Sequence, residues 1–208
     1  MRIAVLVSGG GTNLQAIIDR IDDGLLSDVQ IAVVVSSSRD AYAIERAENN
    51  GIPVACIIKR EFPTQEAYDQ AMLSAIQQSR ADLIVLAGYL SLLSSCVVNQ
   101  YKNRIINIHP SLIPAFCGAG MYGIRPHEAA LKRGVKISGA TVHIVDSEYD
   151  EGPIIIQKAI DISPDDTPQT LQKRIMTDCE QVILPQAIQL FAQERVVVEG
   201  RVARIIDA

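Results

Sequence analysis

Residues 3–7 (IAVLV) form an unbroken apolar run that passes directly into SGGGTN and then into a helical spacing of Leu14, Ile17, Ile18 and Ile21. A strand with no polar alternation has both faces covered, and glycines at its end let the chain reverse into a helix. The pattern recurs. Residues 30–36 (QIAVVVS), 53–58 (PVACII) and 82–87 (DLIVLA) read as strands, with helices at 41–50, which Gly51 closes, and at 65–79. Apolar strands alternating with amphipathic helices predict an α/β fold: a doubly wound, mostly parallel sheet with helices on both faces. Such sheets bind ligands at the carboxyl ends of their strands, where the first glycine turn lies.

The second half is less regular. Residues 104–110 (RIINIHP) read as a strand running into a proline-broken loop that continues through 111–124. A helix follows at 126–133, then strands at 138–146 and 154–160, separated by the turn EYDEGP. Residues 167–195 read as one long helix with a kink expected at Pro185, and 196–206 as a terminal hairpin turning at Glu199 and Gly200. No repeat or linker interrupts the chain. It is therefore expected to be one domain over 1–208, with one lobe spanning 1–100 and another 101–208.

Composition removes some function classes. Nineteen Lys and Arg against 24 Asp and Glu give a net charge of −5, and no long basic run is present. With no Trp and 4% aromatic residues, neither a basic nor a stacking surface for nucleic acid is expected. Cys56, Cys96, Cys117 and Cys179 form no CxxC pair and no metal-spaced cluster, so reduced, mostly buried thiols and no metal are expected. The N-terminal apolar run is too short for a signal segment or a membrane span, which points to a cytoplasmic protein with no membrane partner.

Gly9, Gly10 and Gly11 remove side chains where the chain turns and where a ligand can approach the backbone. The unpaired N–H groups of the following helix carry partial positive charge and suit a phosphate, with Thr12 and Asn13 as further donors and as caps for the helix. The loop lacks the Lys of a GxxxxGK[ST] motif and the GxGxxG spacing of a dinucleotide site. Read locally, it is either a phosphate cradle or a purely structural turn.

Asn107 and His109 stand two residues apart at the end of a strand, which puts both side chains on one face. Asp150 comes from the turn after strand 138–146. A carboxylate beside an imidazole orients it and raises its pKa, and an imidazolium beside a carboxamide N–H makes a two-donor site for an oxyanion. That set suits attack of an amine on an amide-like carbonyl. Each residue alone also has a structural explanation, and spacing does not show that Asp150 reaches His109. No Ser or Cys has a nucleophile-elbow context. His143 in TVHIV alternates with apolar neighbours and reads as structural or supporting. Arg125, Lys132, Lys173 and Arg174 read as surface charges.

SGGGTNLQAII at the N-terminus, LAGYLSLL at 86–93, NIHPSLIPAF at 107–116 and GATVHIVDSEYDEGPIIIQ at 139–157 resemble the phosphoribosylglycinamide formyltransferases of purine biosynthesis. The likeness runs from Met1 to about Pro185. NIHPSLIP is shared by the wider formyltransferase group, and the glycine loop narrows the match. The resemblance implies a Rossmann-like N-terminal half and transfer of a formyl group from 10-formyltetrahydrofolate to glycinamide ribonucleotide. The products are formylglycinamide ribonucleotide and tetrahydrofolate, on the way to IMP.

By the same resemblance, Asn107 and His109 hold the oxyanion, while Asp150 raises the His109 pKa and helps a water shuttle the proton. Gly10, Gly11, Thr12, Asn13 and Glu180 bind the ribonucleotide. Tyr89, Leu90, Ser91, Leu92, Leu93, Asn107, Asp146 and Asp150 bind the folate, partly through backbone hydrogen bonds, and His127 lies near the site. Many relatives carry Arg where Ser91 stands, and some carry Arg at the position of Gln65. A methionyl-tRNA formyltransferase or a formyltetrahydrofolate deformylase is expected to carry a further domain that this acidic chain of 208 residues lacks. The resemblance leaves a monomer or a homodimer open.

Overall fold

The computed structural model describes residues 1–207. Seven strands form one sheet in the order β3-β2-β1-β4-β5-β6-β7, and β8 and β9 form a separate hairpin. The chain divides into two compact units, Met1–Ile106 and Asn107 onward.

In the first unit, β1 (Arg2–Val7), β2 (Gln30–Ser36), β3 (Val54–Cys56) and β4 (Leu83–Leu86) are the strands. β1 pairs in parallel with β2 and β4, and β2 with β3. Ile3, Ala4, Val5, Leu6 and Val7 are fully buried, as an apolar run without alternation requires. Helix α1 (Thr12–Asp22) buries Leu14, Ile17 and Ile18, whose i, i+3, i+4 spacing forms one stripe. Removing each such side chain from water contributes about 2 kcal/mol. α2 (Tyr42–Asn49) and α3 (Gln65–Ser79) follow the predicted bounds closely, and α3 is capped by Thr64, whose side chain accepts the Ala67 N–H. A short helix α4 (Ser95–Gln100) was not predicted; its single buried residue, Val97, leaves no periodic signal.

The second unit holds β5 from Asn107 (the strand spans Ile105–His109), α5 (Arg125–Arg133), β6 (Ile137–Ile144) and β7 (Ile154–Asp161), with β6 and β7 antiparallel. β8 (Val196–Glu199) and β9 (Val202–Ile205) form the predicted hairpin. The long helix expected at 167–195 is not continuous. α6 (Pro168–Ile175) passes into a π-turn over Met176–Glu180, and α7 (Gln181–Ala192) continues with Pro185 inside it. The irregularity therefore lies upstream of the proline. Pro185 has no N–H to donate and its ring crowds the carbonyl four residues back, which is that of Gln181, the first residue after the widened turn. Among the described residues no helix is long and apolar enough to cross a membrane.

Candidate active site

β5 carries Asn107 and His109, and both side chains reach the same cluster, as a period of two demands. Asp150 joins them from the loop after β6. Its Oδ2 lies 3.5 Å from His109 Nδ1 and accepts the Gly118 N–H at 2.8 Å; its Oδ1 lies 3.5 Å from His143 Nε2. Asp150 has φ 55°, a left-handed conformation that non-glycine residues seldom adopt. The close approach of Gly152, where a Cβ would meet the Ile144 carbonyl at 1.8 Å, lets the loop fold back over β6.

The loop after His109 is tied down by Thr141 of β6. The Thr141 hydroxyl donates to Ser111 O at 2.6 Å and accepts the Ile113 N–H at 3.1 Å, while Gln157 of β7 donates to Ile113 O at 2.9 Å. This anchoring delivers the Phe116 carbonyl to His109 Nε2 at 3.1 Å. Phe116 itself has φ 53°.

His109 is 4% exposed, and each ring nitrogen faces an oxygen. Burial lowers its pKa, and that effect outweighs the opposing pull of the Asp150 charge and the Phe116 carbonyl. The expected upward influence of Asp150 is present, but the net direction is down. A buried imidazolium loses more hydration than one carboxylate restores. For Asp150, burial pushes the carboxyl up, yet the His143 contact, the His109 charge and the Gly118 N–H together hold it below the ordinary value. An ionised carboxylate at neutral pH can accept a proton, and a nearby imidazole N–H and carboxamide N–H can hold an oxyanion.

His143 was expected to be supporting, and it touches both partners: Nε2 lies 3.1 Å from Asn107 Nδ2 and 3.5 Å from Asp150. The period-two placement of Thr141 and His143 on β6 is the only sequence signal for this. Nothing in the sequence marked the Phe116 carbonyl or the Gly118 N–H. His127, in the first turn of α5, is 1% exposed, and neither ring nitrogen has a hydrogen-bond partner among the described residues. Burial, with a contribution from His109, takes its pKa down to about 4. Cys117 donates to Pro114 O at 3.3 Å, and burial with the charges of Asp150 and Glu151 pushes its thiol up, so it is no activated nucleophile.

In the first unit, Gly11 is the N-cap of α1 with φ 69°, and no side chain caps the helix. Thr12 and Asn13 fall inside the first turn, one and two positions too late to serve as the cap expected of them. The glycine loop is held from behind by α2. The Ala43 N–H donates to Gly9 O at 3.1 Å, Arg46 Nε donates to Gly10 O at 2.9 Å, and a Cβ on Gly11 would lie 2.7 Å from Ala43 Cβ. Gly9 and Gly10 have open space where a Cβ would be.

Also in the first unit, the Tyr89 hydroxyl is 2.9 Å from that of Tyr68, and burial raises its pKa. Leu90 and Leu92 are exposed, Ser91 is half-buried and Leu93 is buried. The Leu90 N–H donates to Ser8 Oγ at 2.8 Å, so this one backbone group of the stretch is already used. Gln65 donates to Asp69 at 2.7 Å. In the second unit, Asp146 accepts the Glu148 N–H at 3.0 Å, and Glu180 is buried at the end of the π-turn. Arg174 is engaged with Ser163, Asp166 and the Asp161 carbonyl, a structural role. Among the described residues no group of three or more His, Cys, Asp or Glu side chains is arranged to hold a metal ion.

A family model described as formyl transferase matches residues 1–188. A phosphoribosylglycinamide formyltransferase of Escherichia coli (strain K12) is 37% identical over 94% of this chain and 89% of its own length. The chloroplastic enzyme of that name from Arabidopsis thaliana is 36% identical over 94% of this chain, which spans 66% of the plant protein. The crystal structure of glycinamide ribonucleotide transformylase 1 from Symbiobacterium toebii superimposes with a TM-score of 0.93 at 43% identity, covering 100% of this chain and 94% of that one. The mostly parallel sheet and a family match over residues 1–188 identify this chain as a member of the formyl transferase family.

Proposed function

We propose that the protein transfers the formyl group of 10-formyltetrahydrofolate to the amine of glycinamide ribonucleotide, a cytoplasmic step of purine synthesis acting on two small molecules. The observation that carries this reading is the grouping of Asn107, His109 and Asp150, with an ionised Asp150 3.5 Å from the imidazole. The amine nitrogen bonds to the formyl carbon as the carbonyl π pair moves onto oxygen. The Asn107 N–H and a His109 N–H hold that oxyanion. In this structure the Phe116 carbonyl faces His109 Nε2, and the substrate oxygen takes its place. The Asp150 carboxylate accepts the proton of the attacking nitrogen through water and passes it to the folate nitrogen. The carbonyl then re-forms and the carbon–nitrogen bond to the folate breaks.

In this reading Gly10, Gly11, Thr12 and Asn13 bind the ribonucleotide phosphate through the uncapped start of α1, and Glu180 contacts the same substrate. Tyr89, Leu90, Ser91, Leu92, Leu93 and Asp146 serve the folate, Leu90 through its side chain or carbonyl because its N–H is used. The test is steady-state assay of the purified chain with 10-formyltetrahydrofolate against three acceptors: glycinamide ribonucleotide, methionyl-tRNA and water. Turnover with the ribonucleotide at least a hundredfold above the others is the expected result. Formyl transfer to methionyl-tRNA, or release of formate alone, overturns the assignment.

A further inference from the structure

We propose that His143 is a positioning residue that sets which end of the Asn107 carboxamide faces the reacting oxygen. This rests on the reading of Asn107 as an oxyanion donor. His143 stands on β6 with 2% of its surface exposed, so water does not compete for its ring nitrogens. Nδ1 lies 2.9 Å from the carbonyl oxygen of Ile144. A carbonyl only accepts, so Nδ1 carries the hydrogen. In the neutral ring Nε2 is then left with a lone pair, and it lies 3.1 Å from the Asn107 amide. A lone pair pairs with an N–H and repels a carbonyl oxygen. The amide nitrogen must therefore face His143, with one N–H bound to it.

The consequence is chemical. A primary amide free to turn by 180° presents either an N–H, which stabilises an oxyanion, or an oxygen, which repels it. The neutral Nδ1–H form of His143 selects one orientation before substrate arrives, so the carboxamide need not reorganise during the reaction. Asp150 Oδ1 lies 3.5 Å from the same Nε2. A proton on Nε2 would turn that nitrogen toward Asp150 and set it against the Asn107 N–H. The carbonyl at Nδ1 fixes the tautomer and the shorter contact at Nε2 is to Asn107, which leaves Asp150 to His109 and Gly118.

The test uses the full chain and four variants. His143→Phe keeps a flat ring and removes the acceptor; His143→Gln puts an amide oxygen close to the position of Nε2. His143→Phe is expected to lower kcat by about tenfold or more, with KM for both substrates and the thermal midpoint little changed, and His143→Gln to recover most of the loss. In an Asn107→Ala background, His143→Phe is expected to have little further effect, because its target is gone. Equal losses in the two backgrounds, wild-type kcat in His143→Phe, or no recovery in a folded His143→Gln protein would each overturn the proposal. Asn107→Ala alone separates the two ideas. Near-normal turnover there overturns the role of Asn107 and this proposal with it, whereas a crippled Asn107→Ala beside an active His143→Phe overturns only the role of His143.

Discussion

Asp150 Oδ2 lies 3.5 Å from His109 Nδ1 although its backbone sits at φ 55°, a region that disfavours any residue with a side chain. The contact is held by the Gly118 N–H at 2.8 Å on the same oxygen, and the other oxygen lies 3.5 Å from His143 Nε2. A strained residue kept in place by several independent partners is typical of a functional position.

Removing either end of this contact should cost turnover and leave the fold intact. His109→Ala and Asp150→Asn are each expected to reduce kcat by about 10²–10³, the usual loss when one preorganised group of an oxyanion site is removed. Circular dichroism and the thermal midpoint should stay close to wild type. Near-normal turnover in purified His109→Ala would take this site out of the mechanism.

Neighbouring glycines of the loop should behave differently. Gly11 has φ 69°, and a Cβ there would meet Ala43 Cβ at 2.7 Å, so Gly11→Ala is expected to lower stability by at least about 1 kcal/mol. Gly10 has open space and no positive φ. Gly10→Ala is expected to unfold at the wild-type denaturant midpoint, yet to raise KM for the ribonucleotide by about tenfold, equivalent to about 1.4 kcal/mol of lost binding. An unchanged KM would make the loop a structural turn.

The Gly152 contact predicts a structural failure with a catalytic readout. A Cβ would meet the Ile144 carbonyl oxygen at 1.8 Å, and backbone cannot yield as a side chain tip can. Gly152→Ala is expected to lose about 2–4 kcal/mol in urea unfolding and to lose activity as the Asp150 loop shifts. Wild-type stability would show that the loop has freedom the geometry denies it.

His127 predicts a pH dependence. Its folded pKa is about 4, below the ordinary 6.5, because burial disfavours the charged ring. The unfolded chain therefore binds more protons between those values, and stability is expected to fall as pH drops from about 6.5 toward 4. The span corresponds to roughly 3 kcal/mol at its limit. His127→Leu should flatten the unfolding free energy over that window. If the slope persists unchanged, other groups set the acid sensitivity.

Parts of this arrangement can be read directly from the chain. The helix read at 65–79 coincides with α3, in which Tyr68, Met72 and Ile76 are buried at helical spacing behind a Thr64 cap. Asn107 and His109 were legible as a pair because a strand repeats every two residues. The reach of Asp150 was not, since it depends on a left-handed φ at a residue type that rarely adopts one, and on glycine contacts formed only when the loop closes over β6. The net direction of the His109 pKa was also hidden, because a sequence shows the neighbouring charge but not the depth of burial. The helix cap was misplaced for a local reason: with three glycines in a row, the turn could begin at any of them, and it begins at Gly11.

The π-turn at Met176–Glu180 places an extra residue in the run from Pro168 to Ala192. Successive residues of a helix are about 100° apart around its axis. A turn that absorbs one residue more leaves the helix after it facing as it would without that residue, so excising one residue there would restore an ordinary coil and keep Ile183, Leu184, Ala187 and Ile188 on the side they share with Leu171 and Ile175, all of which are buried. Loss of one residue within the turn is accordingly expected to be tolerated, whereas loss of one from α6 or α7 would swing the buried side chains beyond it out of the core.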